Sequence, residues 1–172
     1  MTGTVPPVEA PAGPLIPALP RELLWGVKRS FRDYVLALAD GAEQLLPGAG
    51  RIEGGAFAFD TDTGSEWDAA AQRGTLRFHG SVLFSGYRDM LYVRVRDPWI
   101  TIDAGGAVLS IMHPAFLERT AERLVLAELA DIRLDPNRNW RAVPRLLASG
   151  IHTFDEVYPP GTELDPVTLV TG

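Results

Sequence analysis

Apolar and polar residues alternate along most of the middle of the chain. The alternation is longest over residues 74–87, where apolar side chains fall on one face and polar side chains on the other. The apolar positions of this segment are Leu76, Phe78, Val82 and Phe84. A period of two predicts β-strands with one buried face.

Further strands are predicted on both sides of this segment. Short apolar runs bounded by turn residues occupy residues 55–64, 90–106, 107–114 and 123–134, and a last strand follows the turn that begins at residue 158. Residues 90–106 form two strands divided at Asp97-Pro98, because proline cannot donate a hydrogen bond within a sheet.

Spacings of three and four residues replace the alternation near the start of the chain. They predict an amphipathic helix over residues 21–39. Its apolar stripe consists of Leu24, Val27, Phe31, Tyr34, Val35 and Leu38. Its other side is charged, with Lys28, Arg29, Arg32 and Asp33. A second short helix is predicted over residues 143–154, ended by Gly150.

Many short strands and two short helices predict an all-β fold, mainly an antiparallel β-sandwich or barrel. Six of the 14 prolines lie within the first 20 residues. Proline lacks a backbone donor and has a fixed φ, so residues 1–20 are predicted to be an extended proline-rich arm. Residues 21–172 are predicted to be one β-rich domain.

Composition and charge argue against several classes of partner and of site. The net charge of -6 and the lack of any lysine- or arginine-rich block argue against nucleic acid as a partner. The absence of cysteine excludes disulfides, thiolate nucleophiles and Cys-ligated metals. No run of about 18 apolar residues occurs, so no membrane span is expected. No export signal is visible, which predicts a cytoplasmic protein. A homodimer is left open.

Tyr34 has two interpretations from the helix pattern alone. It lies on the apolar stripe, where an aliphatic residue would pack more simply. Its ring could fill the core with the hydroxyl reaching a backbone carbonyl, or its hydroxyl could face a bound molecule. The helix pattern does not decide between them.

Three segments, taken together and in order, resemble the HtaA domain, a haem-uptake module of actinobacterial cell surfaces. They are "LLWGVKRSFRDYV" (residues 23–35), "FHGSVLFSGYRDMLYVRVRDPWITI" (78–102) and "VPRLLASGIHTFDEVYPPGTELDPVTL" (143–169). The resemblance implies a β-rich sandwich with short helices that holds haem b.

The resemblance also implies roles for individual residues. Tyr34 would be the ligand of the haem iron, and Ser30 would lie near the haem. Tyr87 stands where the family has a histidine that hydrogen-bonds the ligand tyrosine. The glycine expected two residues later is replaced by Asp89, within Arg88-Asp89-Met90.

His79 is a further candidate for the cofactor pocket. It has the same strand parity as Tyr87, and Gly80 and Gly86 lie beside the two residues. Glycines next to such side chains can mark the close approach of a flat ligand, although they can equally be bulge residues.

Two functions of different classes remain. The first is a non-catalytic haem-binding protein of HtaA type, with haem b as its one cofactor. The second is a cytoplasmic enzyme, such as a cyclase of natural-product biosynthesis, that uses the same pocket for an apolar small molecule without haem. In that case Tyr34 or Tyr87 would donate a hydrogen bond to a substrate oxygen. Whether the protein is an enzyme is left open.

Overall fold

Thirteen strands and two short helices make up the described part of the chain, which is residue 3, residues 13–114 and residues 122–171 of a computed structural model. The helices are α1 (Arg29–Ala37) and a 3₁₀ helix (Ala148–Phe154). The strands are β1 (Glu22–Trp25), β2 (Ala42–Leu46), β3 (Ala49–Arg51), β4 (Phe57–Thr61), β5 (Glu66–Asp68), β6 (Arg73–His79), β7 (Ser81–Gly86), β8 (Leu91–Arg96), β9 (Trp99–Asp103), β10 (Gly106–Met112), β11 (Arg123–Leu134), β12 (Trp140–Leu146) and β13 (Val167–Val170). The predicted all-β class with two short helices is confirmed.

Eight of these strands close into a barrel. Their order is β4-β1-β13-β12-β11-β10-β9-β6, and β4 also pairs with β6, which completes the ring. The pairings around the ring are antiparallel. The short strands β3 and β5 extend it at β4 and β6. Closure removes most exposed sheet edges, where backbone donors and acceptors would otherwise lack partners.

A second sheet of three strands, in the order β2-β7-β8, packs beside the barrel. The chain passes from β6 in the barrel to β7 in this sheet at Gly80, whose φ is 131°. A β-carbon there would lie 2.5 Å from the backbone nitrogen of Ala49, so glycine is required. The predicted apolar face continues across this corner, because Leu76, Phe78, Val82 and Phe84 are all buried.

The predicted first helix is wrong at its start. Residues 22–25 form β1, which pairs with both β13 and β4, and α1 begins only at Arg29. The reason is that this apolar run contains both periods. Leu24 and Val27 have helical spacing, but the buried Leu23 and Trp25 alternate as in a strand. Val27, with a φ of 66°, turns the chain between the two elements.

The predicted second helix is also only partly right. Residues 140–146 form β12, with side chains alternately buried and half-buried. The helical part begins at Ala148, is a 3₁₀ helix, and contains Gly150 rather than ending there. Pro144 is accommodated within β12, opposite Leu129.

Arg32, predicted on the charged outer side of the helix, is buried instead. Its Nε donates to Glu43 Oε1 at 2.6 Å and its Nη2 donates to Glu43 Oε2 at 3.1 Å. Arg51 Nη1 donates to the same Oε2 at 3.1 Å, and the Arg32 guanidinium lies 4.2 Å from the centre of the Phe57 ring. Burial raises the pKa of Glu43, but the hydrogen bonds and charges of Arg32 and Arg51 outweigh it and lower the pKa overall.

Part of the proline-rich segment lies along the domain. Ile16 is fully buried. Its backbone nitrogen donates to Gln72 Oε1 at 2.7 Å, and its carbonyl accepts from Trp67 Nε1 at 3.1 Å and from Gln72 Nε2 at 2.9 Å. These bonds fix Ile16 against the hairpin of β5 and β6.

Within residues 13–114 and 122–171, the helices are too short and too polar for any of them to cross a membrane.

Replacing Glu43 by glutamine should destabilise the fold by about 3 kcal/mol, because it leaves the buried Arg32 charge without its partner. The Glu43 pKa is lowered by folding, so its contribution is complete above its unfolded value of about 4 and is lost as the pH falls through the folded value. Urea unfolding at several pH values measures both effects. The free energy of unfolding of Glu43→Gln should fall less with decreasing pH than that of the wild type.

Arg51→Gln is the matched control, because Arg51 is half-exposed where Arg32 is buried. It should cost about 1 kcal/mol or less. Equal losses from the two substitutions would contradict the role given to the Arg32–Glu43 pair.

Candidate functional site

Helix α1 is held to the core by one aromatic side chain. Phe31 meets Phe84 at 5.4 Å and Phe154 at 5.3 Å between ring centres, both edge to face. Phe31 and Val35 are buried, whereas Tyr34 is 48% exposed. Tyr34 therefore does not fill the core with the other residues of the predicted apolar stripe. Its half-exposed ring lies at the margin of the buried face of α1.

The N-terminus of α1 is capped by a residue from the far end of the chain. Asp165 Oδ1 accepts from Arg29 N at 2.9 Å, and Asp165 N donates to Val27 O at 3.0 Å. Trp25 Nε1 also donates to Asp165 O at 3.0 Å. The third family-like segment thus fixes the position of the first, since a capping carboxylate satisfies otherwise unpaired helix donors.

The hairpin between β7 and β8 brings Tyr87 next to the helix. Tyr87, Arg88 and Asp89 all adopt left-handed backbone conformations, with φ of 49°, 54° and 65°. Asp40, just after α1, accepts from Tyr87 N at 3.0 Å and from Arg88 N at 2.7 Å. The hydrogen bond from Arg88 N is the main cause that lowers the pKa of Asp40.

The backbone conformation at position 89 explains why the family resemblance implies a glycine there. Asp89 occupies a backbone region that glycine adopts freely and that costs other L-residues energy. The tight turn is therefore retained without its glycine, and the two hydrogen bonds to Asp40 hold it.

The two tyrosines meet across this junction. Tyr34 Oη donates to Tyr87 Oη at 3.2 Å. This hydrogen bond is the main cause that raises the pKa of Tyr34, and desolvation, the electrostatic coupling to Tyr87 and the negative charge of Asp155 raise it further. Both phenols are about half exposed and stand at the mouth of a cavity.

That cavity has a volume of about 600 Å³, within the range of small-molecule sites. Its walls come from α1, from the β7–β8 hairpin and from the end of the 3₁₀ helix with the residues after it. The lining residues are Phe31, Tyr34, Tyr87, Met90, Leu91, Phe154, Asp155, Val157 and Tyr158. Most of the lining is apolar, and Asp155 is its one carboxylate.

Ser30 lies at the Tyr158 side of the cavity. Its hydroxyl is 3.4 Å from Tyr158 Oη. Lys28 Nζ lies 5.3 Å from the centre of the Tyr158 ring and donates to Glu163 O at 3.0 Å. The lining residue Tyr158 is therefore flanked, outside the cavity lining, by the Ser30 hydroxyl and the Lys28 ammonium group.

His79 lies apart from these residues. It ends β6, pairs with Asp60 of β4 and borders a different cavity together with Ser81 and Arg94. The structure thus brings Tyr34 and Tyr87 to one cavity, places Ser30 beside the lining residue Tyr158, and places His79 at another cavity. His79 and Tyr87 keep the same strand parity, but they lie at opposite ends of this segment, one before the corner at Gly80 and one after β7, so they border different cavities.

The cavity wall formed by residues 154–158 was not predicted from the sequence. Phe154, Val157 and Tyr158 carry no motif of their own. One signal could have found them, which is their position within the third family-like segment, just before "PPGTELDP".

The sequence model of the HtaA family matches residues 21–170 of the chain. The chain belongs to the HtaA family. The resemblance carried by the three segments is therefore confirmed, and those segments are the ones that meet around Tyr34. No curated protein matches the chain in sequence.

Solved HtaA structures share the fold. The C-terminal domain of HtaA from Corynebacterium glutamicum has a TM-score of 0.69 at 25% identity, over 86% of this chain and 92% of that one. The N-terminal domain of the same protein has a TM-score of 0.68 at 25% identity, over 88% and 97%. The heme binding protein HtaB from the same organism has a TM-score of 0.64, over 86% and 90%, and at 20% identity shows a common fold alone.

Asp89→Gly should stabilise the protein by about 0.5–1 kcal/mol, because glycine removes the left-handed strain while only part of the gain is lost to the freer unfolded chain. The midpoint of urea unfolding measures this change.

Met90→Gly is the control in the same turn, because Met90 is not left-handed. It should lower the free energy of unfolding by about 0.5–1 kcal/mol. If both substitutions shifted the midpoint in the same direction, the left-handed strain assigned to Asp89 would be wrong.

Proposed function

We propose that this HtaA-family chain binds haem b through Tyr34, with Tyr87 as the hydrogen-bond partner of the ligand oxygen. The observation that carries the proposal is the 3.2 Å contact between the two phenol oxygens at the mouth of the apolar cavity. Haem would supply a ferric centre, and the chain would bind it without performing chemistry on it.

The cavity fits the chemistry of a porphyrin. Phe31, Leu91, Phe154 and Val157 present apolar and aromatic surface to it. A largely apolar planar ligand gains most of its binding energy from such surface. The half-exposed tyrosines stand where the cavity opens to solvent, so one edge of a large ligand would stay accessible.

Tyr34 fits the part of the iron ligand. A phenolate is a hard anionic oxygen donor, and tyrosine is an established haem ligand in proteins. The phenol must first lose its proton, and the hydrogen bond to Tyr87 together with Asp155 keeps the pKa of Tyr34 above its usual value in the free protein. The positive charge of a ferric centre would reverse this balance.

Tyr87 can serve Tyr34 in both states because a phenol hydroxyl both donates and accepts. In the free protein Tyr34 donates to Tyr87. Once Tyr34 is ionised it can only accept, so the Tyr87 hydroxyl would rotate and donate to it. The phenol thereby takes over the part of the histidine that the family resemblance implies at this position.

The hydroxyls of Ser30 and Tyr158, with Lys28 beside them, suit the two propionate carboxylates of haem b. Charge-assisted hydrogen bonds to carboxylates are stronger than neutral ones. This polar side and the apolar walls would orient the ligand. The name of the structural neighbour HtaB, a heme binding protein, is in line with this use of the fold.

Titration with hemin should give saturable binding with a high-spin tyrosinate absorption spectrum. Tyr34→Phe keeps the ring but removes the ligand oxygen, so it should abolish that spectrum and weaken binding more than about a hundredfold. Tyr87→Phe removes the hydrogen-bond partner and should weaken binding by about 10–100-fold while keeping a tyrosinate signal. Tyr87→His should retain binding.

Tyr92→Phe is the matched control, since Tyr92 is an exposed tyrosine of β8 that does not line the cavity. It should bind hemin as the wild type does. If Tyr34→Phe and Tyr92→Phe gave the same spectrum and affinity, Tyr34 would not be the ligand.

Binding should also release about one proton per haem from Tyr34 at a pH where the ferric iron of free hemin carries water rather than hydroxide, because the ligand must be deprotonated and the displaced water takes up no proton. Potentiometric titration of weakly buffered protein measures the release. Tyr34→Phe, mixed with hemin under the same conditions, should release none from this site. Equal release from both proteins would argue against an ionised Tyr34.

The pairing of two phenol hydroxyls at an apolar cavity favours a second candidate function. The two hydroxyls could hold a neutral small molecule by hydrogen bonds to one of its oxygens. An enzyme such as a cyclase would need this arrangement and no iron. Nonsaturable hemin binding, with saturable binding of neutral polycyclic phenols or ketones lost in Tyr34→Phe, would select this candidate over haem.

A further inference from the structure

A second cavity, of about 420 Å³, lies where the small sheet meets the corner at Gly80. Its polar lining consists of His79, Ser81, Arg94, Arg96 and Asp97. We call it the arginine cavity. It shares no lining residue with the cavity at Tyr34.

The alternation of β8 places both arginines on one face. Val93 and Val95 are buried in the core, so Arg94 and Arg96 project from the outer face of the small sheet. Residues two apart along a strand are separated by about 7 Å, which lets two guanidinium groups converge on one small ligand. Ser81 of β7 is paired with Arg96 in the strand register.

Arg94 is held in place by a buried hydroxyl. Ser81 is only 4% exposed, and Arg94 Nε donates to its Oγ at 3.4 Å. The Nε contact orients the guanidinium and leaves its two terminal nitrogens for another acceptor. Within residues 13–114 and 122–171, no carboxylate lies within ion-pair distance of Arg94.

The carboxylate in the cavity is already engaged. Asp97 Oδ1 accepts from Gly80 N at 3.0 Å, and its Oδ2 lies 3.5 Å from Arg96 Nε. The cavity lining therefore contains one carboxylate and two guanidinium groups, of which only that of Arg96 is paired with the carboxylate. This local excess of positive charge occurs in a chain whose net charge is -6, so it is not a consequence of overall composition.

Neighbouring arginines add to the positive field behind the cavity. Arg77 and Arg123 stack on Trp99, with guanidinium carbons 4.3 and 3.9 Å from the ring centre. Arg123 also donates to Asp97 O. Burial is the main cause that lowers the pKa of Arg123 to about 10, which still leaves it charged at neutral pH.

We propose that the arginine cavity binds a small oxyanion, of the phosphate or carboxylate type, between Arg94 and Arg96. Guanidinium groups recognise such anions through paired hydrogen bonds, and a guanidinium fixed in advance loses less freedom on binding. Ser81 acts as a positioning residue through Arg94, and His79 borders the site. This site is independent of the cavity at Tyr34.

The test uses the isotope-labelled full chain and inorganic phosphate as the probe, at constant ionic strength maintained with chloride. Saturable NMR shifts are expected for the backbone amides of Gly80, Ser81 and Asp97. Arg94→Gln and Arg96→Gln should each weaken binding by about tenfold or more, because each removes charged hydrogen bonds. Succinate, titrated in the same way, distinguishes a carboxylate site from a phosphate site.

Two controls separate this site from general charge and from the haem proposal. Arg141→Gln removes an arginine from β12 of the barrel and should leave binding unchanged. Tyr34→Phe should also bind the anion as the wild type does, whatever its effect on hemin. Shifts that rise linearly with both anions, or equal affinities of Arg94→Gln and Arg141→Gln for whichever anion binds, would overturn the proposal. The spectra themselves report whether each variant is folded.

Discussion

The buried ion pair between Arg32 and Glu43 is the interaction on which the site depends, because it fixes the helix that carries Tyr34. Helix α1 has nine residues, and Lys28, the N-cap residue just before it, makes no side-chain capping hydrogen bond. A helix this short is not stable by itself in water. Its position is imposed from outside by Glu43 of β2, by the aromatic contacts of Phe31 and by Asp165. Each of these partners comes from a different part of the chain, so the helix takes its position only when the rest of the fold has formed.

The site is assembled from segments that are far apart in sequence. Its specificity therefore comes from how the fold arranges these residues and not from unusual residue types. Asp165 sets the start of α1, Asp40 at the other end of the helix holds the turn that presents Tyr87, and residues 154–158 form the remaining wall. The two phenols meet because two carboxylates hold backbone amides on either side of them. Position 87 carries a tyrosine where the family resemblance implies a histidine, and its phenol oxygen accepts the hydrogen bond from Tyr34.

The sequence predicted the parts of this fold that depend on local patterning. Alternation located most of the barrel strands and the division at Asp97-Pro98, because burial of one face of a strand dictates a period of two. The start of α1 was predicted wrongly because Leu24 and Val27 have the spacing of a helix. The neighbouring Leu23 and Trp25 alternate as in a strand, and that period is the one the fold adopts. The burial of Arg32 could not be predicted, since its partner Glu43 becomes a neighbour only in the folded chain. The same is true of the cavity, whose lining comes from three elements, and of His79, whose place depends on the corner at Gly80. The residues of the Tyr34 contact came instead from the family resemblance, which carries information about distant neighbours that periodicity lacks.

The closure of the barrel rests on a narrow seam. Strands β4 and β6 meet through two residue pairs, Asp60 with His79 and Thr61 with Phe78, whereas β11 and β12 meet through six. Local unfolding begins where the fewest cooperative hydrogen bonds must break, so the ring has a built-in point of weakness. An opening there would leave every other pairing intact and convert the ring into an open sheet with two free edges. His79 belongs to the seam and also borders the arginine cavity. A ligand that binds in that cavity and rigidifies the corner at Gly80 would therefore stabilise the closed form of the barrel.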